Sequence, residues 1–255
     1  MNKKLRLKIV ELIKNSGEGH IPSSFSIVDI LDCLYKKFFK KKINNTYKRN
    51  FFILSKGHGC VALYVVLNKY GYLSKNVLES YGKKNSRLGG HPDMTKITSV
   101  EASTGSLGHG FPTAVGIALA MKIKKIKKKV FVLIGDGECH EGSIWEAANI
   151  AANRNLDNIC AIIDLNKSAQ QLMPIDNMQE KWKAFGWNVI TVDGHSKKSI
   201  DLGLKKMNKF KNLQPVAIIA NTVKGKGVSF IEGHGIWHHK IPNKNEMNLI
   251  REELK

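Results

Sequence analysis

A Gly-Asp-Gly turn at 135–137 directly follows the apolar run 130–134, and an Asp-Leu-Asn at 164–166 directly follows a second apolar run, 159–163. Short apolar runs that end in turns of this kind read as buried strands of a parallel sheet. Residues 138–164 suffice for one crossover helix and a return strand, so the handedness rule brings Asp136 and Asn166 to the same carboxyl edge. A carboxylate and an amide oxygen at neighbouring strand tips, with glycines letting the backbone come close, suit a hard divalent cation that grips a diphosphate. Magnesium keeps water and takes few protein ligands, so a carbonyl from the following loop, such as that of Ser168, completes the set. An isolated Gly-Asp-Gly would be an ordinary strand-to-helix turn; the matched second half gives it weight.

Strands and helices alternate through the rest of the chain. Helical spacing at 142–154, 178–185 and 196–210 separates the two runs above from further strands at 187–192 and 216–220. That alternation predicts an α/β fold, a doubly wound parallel sheet with helices on both faces. The front third reads as mainly helical over 1–128, with helices at 3–15, 26–39 and 59–70. Residues 129–222 form the core βαβ region, and 223–255 read as a C-terminal loop and tail. No repeat or linker divides the 255 residues, and 42% hydrophobic content is enough for one large core, so a single domain is expected.

Composition also limits the function classes. The longest apolar run, 111–121, is shorter than the ~18–20 residues that cross a bilayer, so no membrane span is expected. Arg6, Lys8, Glu11 and Lys14 break any secretory segment and leave an amphipathic first helix. Cys33, Cys60, Cys139 and Cys160 have no Cys-x-x-Cys pairing, which suits a reducing cytoplasm. The net charge of +20 is spread along the chain instead of lying in one stripe. Its densest cluster, 122–129, ends a helix, where solvent and the helix dipole account for it, so nucleic-acid binding is not expected.

Five loops carry most of the histidines: Gly19-His20-Ile21-Pro22-Ser23, Ser55-Lys56-Gly57-His58-Gly59, Gly89-Gly90-His91-Pro92, the glycine turn 104–110 and Trp237-His238. Any one of these imidazoles alone would be a satisfied polar side chain. In this order, and with the two strand-tip motifs, residues 15–242 closely resemble the N-terminal, diphosphate-binding half of transketolase. The resemblance implies a thiamine diphosphate-binding domain in which Asp136, Asn166 and the Ser168 carbonyl hold Mg2+ or Ca2+. Gly137, His58 and Lys224 would lie near the cofactor diphosphate, and Gly105, Ser106 and Leu107 beside its aminopyrimidine. His20, His91 and His238 would surround the ketose hydroxyls as the catalytic imidazoles, with Ser23, Lys56 and Gln170 as secondary contacts. Glu141 and Glu146 match interface carboxylates of the family. Imidazoles suit ketol transfer, which moves protons near neutral pH beside a carbanion.

Two departures from the family pattern stand out. His109 replaces a common Gln, and His239 follows His238 where Gly is usual, so His234 and His239 remain alternatives for the last imidazole. Full-length relatives carry a second, pyrimidine-binding domain with an activating glutamate. The resemblance therefore implies a separate C-terminal subunit in a heterotetramer with two copies of each chain, and sugar phosphates as substrates. A deoxyxylulose-phosphate synthase-like or 2-oxoacid dehydrogenase alpha-like subunit, or a non-catalytic binding protein, stays open as an alternative. The Gly-His-Pro loop together with Trp-His favours the transketolase reading.

Overall fold

Strand pairing brings the two motifs together as expected. The computed structural model describes residues 1–39, 49–170, 173–210, 212–233 and 235–255. Among these, β1 (Phe51–Leu54), β2 (Val130–Gly135), β3 (Ile159–Leu165), β4 (Asn188–Asp193) and β5 (Val216–Asn221) form one parallel sheet in the order β1-β2-β3-β5-β4. Gly135 pairs with Asp164 across β2 and β3, and Leu165 pairs with Asn221 across β3 and β5. Asp136 and Asn166 thus leave adjacent strands within a residue of the same level.

Helices cover both faces. Phe131, Leu133, Cys160, Ile162 and Ile218 point to one side, where they pack with α1 (Lys3–Ser16), α2 (Ile21–Phe38), α3 (Cys60–Lys69) and α8 (Lys197–Lys206). Their neighbours Val130, Val132, Ile134, Ala161, Ile163 and Ile219 point to the other, against α5 (Gly110–Ile123), α6 (Gly142–Asn153) and α7 (Met178–Ala184). This alternation with both sides buried explains the continuous apolar runs in β2 and β3. The chain leaving β3 turns to the α7 face, whereas the chain leaving β5 buries Val228 and Ile231 on the opposite face. Connections that diverge in this way open a crevice at the carboxyl ends of the strands.

Several elements differ from expectation. The helix expected from 26 starts at Ile21, with Pro22 in its first turn, a position that needs no backbone donor. The serines there, which suggest a loop, are buried instead: Ser23, Ser24 and Ser26 face packed neighbours. β1 has no counterpart among the expected strands, because four residues give too short a period to read. A short α4 (Lys75–Glu79) follows α3. The segment read as loop and tail contains α9 (Lys244–Glu253), started by a capping box of Asn243 and Glu246 and held by buried Met247 and Ile250. The helix expected at 196–210 ends at Lys206 and continues as a 3₁₀ turn, Met207–Lys209. Among the described residues, no helix is long and apolar enough to cross a membrane.

Candidate active site

A cavity of about 360 Å³ lies at the carboxyl edge of the sheet. Lys56 and His58 reach it from the loop after β1, Asp136 and Gly137 from the tip of β2, Asn166 and Ser168 from beyond β3, and Lys224 from beyond β5. His20 and Ser23 enter from the start of α2, His91, Leu107 and His238 from connecting segments, and Gly135 and Glu138 line the wall beside the tip of β2. Residues scattered over most of the sequence therefore converge on one crevice. Gly105, Ser106 and Gln170 do not line it. Gly105 instead packs behind the His91 ring, Ser106 is exposed, and Gln170 sits in a turn whose amide donates to the Lys167 carbonyl at 3.3 Å.

Local backbone chemistry sets the two strand tips. Asp136 Oδ1 accepts from Gly137 N at 2.8 Å, which opens the 3₁₀ turn Gly137–His140 that leads into α6. Asn166 Oδ1 accepts from Ser168 N at 2.9 Å, folding the next loop back toward Asp136. Glycines permit the close approach around them: a Cβ at Gly57 would sit 2.9 Å from the backbone of Thr104 and Gly105, and one at Gly110 2.7 Å from Ser55 Cα. The loop after β1 and the 104–110 turn are thereby pressed against each other.

The charges are buried and unevenly paired. Asp136, Asp164, Lys56 and Lys224 are 4%, 0%, 1% and 6% exposed. Lys56 Nζ donates to Asp164 Oδ2 at 2.6 Å, and that oxygen also accepts from Ser26 Oγ at 2.7 Å and Asn166 Nδ2 at 2.8 Å. Thr222 Oγ1 donates to the other oxygen. Burial opposes ionisation of Asp164, but the Lys56 ammonium and these donors hold its carboxyl below the usual range. Asp136 has the opposite balance: burial and the neighbouring Asp164 raise it. Among the described residues no cationic side chain forms an ion pair with Asp136. Lys224 Nζ meets a neutral partner, His238 Nδ1, at 2.8 Å, and burial, then Lys56, lowers its pKa.

Imidazoles rim the mouth. The His20 ring lies 5.5 Å from that of His58, 5.3 Å from His238 and 4.7 Å from His239, all edge-on. Burial, then His239 and His238, lowers the His20 pKa to about 4, and burial with Lys56 lowers that of His58 to about 2. His238 is lowered by burial and then by Lys224. His234 lies outside the described residues. His109 caps α5 from an exposed position with its ring on the Leu107 carbonyl, and Glu141 and Glu146 sit at the start of α6, both exposed.

Two buried carboxylates have contacts that the sequence does not disclose. Asp164 enters the sequence argument only through its motif. Glu138, 1% exposed, accepts from Gly108 N at 3.0 Å and Gly135 N at 3.2 Å and also bonds Ser55 Oγ, tying the 104–110 turn to the tip of β2. An acid at the end of an otherwise apolar strand is the available signal for Asp164.

Comparison with known proteins agrees with this geometry. The family model described as transketolase, thiamine diphosphate binding domain, matches residues 1–255. Over 99% of its length the chain is 42% identical to a protein of Actinobacillus succinogenes named as one subunit of apulose-4-phosphate transketolase, 94% of which is covered. A 6-deoxy-6-sulfo-D-fructose transketolase subunit from a Clostridium species is 38% identical, over 90% of this chain and 86% of that one. Human transketolase is 36% identical over 98% of this chain, which spans only 41% of it. The crystal structure of Campylobacter jejuni transketolase superposes with a TM-score of 0.90 at 29% identity, over 98% of this chain and 41% of that one. The chain belongs to the transketolase family of transferases, corresponding to its thiamine diphosphate-binding domain.

Proposed function

We propose that this chain is the diphosphate-binding, N-terminal subunit of a two-subunit transketolase. With thiamine diphosphate and Mg2+ it would move a two-carbon ketol unit from a ketose phosphate to an aldose phosphate. The observation that carries the reading is the charge pattern of the cavity: a buried carboxylate, Asp136, and a buried ammonium, Lys224, both at the carboxyl edge of the sheet, neither of which forms an ion pair among the described residues. A dication bound to a diphosphate offsets both charges at once.

The donor set fits such a group. Among the described residues, no three His, Cys, Asp or Glu side chains are gathered to hold a metal. A cation here would therefore draw on the Asp136 carboxylate, the Asn166 amide oxygen, the Ser168 carbonyl and phosphate oxygens, a mixture that suits Mg2+ or Ca2+. Thiamine diphosphate, when bound, supplies the electron sink for the carbanion. His58, Gly137 and Lys224 would hold the diphosphate, with Lys56 and Gln170 as neighbours, and Gly105, Ser106 and Leu107 would face the aminopyrimidine.

His20, His91 and His238 would handle the sugar hydroxyl protons. A depressed pKa keeps His20 neutral at pH 7, where one ring nitrogen accepts while the other donates. Ser23 adds a hydroxyl to the same wall. His239, closer to His20 than His238 is, shares that rim.

The relatives named as transketolase subunits support a partner chain, since this chain matches them along most of their length. The proposed partner is a C-terminal subunit that brings the pyrimidine-binding domain and the activating glutamate, in a cytoplasmic heterotetramer of two copies of each. Glu141 and Glu146 would face an interface there. Co-expression with the complementary chain and an assay of ketol transfer tests the proposal: activity should require both chains, thiamine diphosphate and Mg2+. Full activity from this chain alone would contradict it.

A further inference from the structure

The proposed metal site contains a rival for its own carboxylate. Lys56 is a buried ammonium lining the same cavity as Asp136. An unpaired buried carboxylate beside a buried lysine would ordinarily close into an ion pair, because each group is costly to leave uncompensated. Such a pair would occupy the oxygen that a dication needs. In this structure Lys56 is held elsewhere, by Asp164 at 2.6 Å, with both side chains 1% exposed or less.

We infer that Asp164 is a positioning residue with two tasks: it sequesters the Lys56 ammonium from Asp136, and it orients the Asn166 amide. The second task follows from hydrogen-bond chemistry. An ionised carboxylate only accepts, so the contact between Asp164 Oδ2 and the Asn166 amide, at 2.8 Å, selects the Nδ2 side. Oδ1 is left on the side of Ser168, whose loop lines the cavity. Asp164 can do both because its donors come from three other elements: Ser26 on α2, Lys56 after β1 and Thr222 after β5. Asp164 does not itself line the cavity; it acts through Lys56 and Asn166, which do.

This inference rests on the metal-diphosphate reading of the site, and its test separates the two. Asp164→Asn keeps the shape and removes the charge, releasing Lys56. Lys56→Met/Asp164→Asn then removes the competitor as well, leaving a buried neutral pair that the fold should tolerate. Uptake of Mn2+ by the full-length chain, with inorganic pyrophosphate present, is followed by electron paramagnetic resonance. The single variant should bind Mn2+ more weakly by about tenfold or more, the scale typical of residues that orient metal ligands. The double variant should regain much of the lost affinity, although purely structural damage would not be repaired by a second core substitution.

Equal weakening in both variants, or none in the single one, overturns the inference. If the single variant does not fold, a double variant that folds but takes up no Mn2+ overturns it too. A crystal structure of Asp164→Asn gives a readout independent of metal: Lys56 Nζ should have moved into hydrogen-bond distance of Asp136, and a lysine still directed at residue 164 contradicts sequestration. A wild-type chain that binds no Mn2+ refutes the metal reading, and the lysine position in that crystal structure then decides the sequestration separately.

Discussion

At the scale of single residues, the site holds groups in ionisation states that water would not favour, and pH exposes this. His20 and His58 have pKa values of about 4 and about 2 in the folded chain against 6.5 otherwise. Below pH 6.5 the unfolded chain takes up protons that the folded chain refuses, so these residues make stability fall as pH drops from 6.5 toward about 4. His20→Asn should flatten that slope in denaturant melts across the window, and an unchanged slope would mean the ring is not held neutral. Asp136 behaves oppositely, since its raised pKa disfavours the carboxylate in the fold. Asp136→Asn should leave the metal-free chain at least as stable as the wild type, most visibly at high pH, while abolishing any stabilisation by Mg2+ in thermal melts. Asp136 and Asn166 are legible in the sequence because strand tips are marked by where apolar runs stop. The contacts of Asp164 and Glu138 are not, because their partners, such as Ser26 and Ser55, lie far away in the chain and only packing brings them near.

Elements are held in place by a few buried contacts that can be broken singly. Arg6 of α1 is fully buried and bonds Asp29 of α2 at 2.8 Å, with its Nε on the Lys226 carbonyl at 2.7 Å. Removing one member of such a pair leaves an uncompensated charge, so Arg6→Met should cost about 3–5 kcal/mol in denaturant melts. Burial raises the Asp29 pKa, but His195 and Arg6 together win and bring it to about 2, so its contribution is present above pH 3.8 and lost as pH falls toward about 2. Gly57 poses a steric test: Gly57→Ala would drive a methyl into the 104–105 backbone at 2.9 Å and should destabilise by about 1–3 kcal/mol. A neutral outcome would mean that the two loops are not pressed together. The core strands are legible because each is buried on both faces. β1 is too short for any period, the early start of α2 is masked by serines that packing buries, and α9 is so polar that only its capping box announces it.

For the whole molecule, the sheet's strand order is what turns scattered motifs into a site. Loops after β3 and β5 part to opposite faces, and the crevice between them collects Asp136 and Lys224, neither of which forms an ion pair among the described residues. The alternation of strands and helices makes this architecture readable, and the Gly/His loops indicate the family, but the pairing of Lys56 with Asp164 cannot be read without the fold. The central claim is that Asp136 and Asn166 clasp a dication that anchors a diphosphate. The most direct test is calorimetric titration of thiamine diphosphate into this chain assembled with its complementary subunit, with Mg2+ and then with EDTA, for the wild type, Asp136→Ala and Asn166→Ala. Uptake should require Mg2+ in the wild type and be lost in both variants; equal uptake in all three, or uptake indifferent to EDTA, would contradict the account.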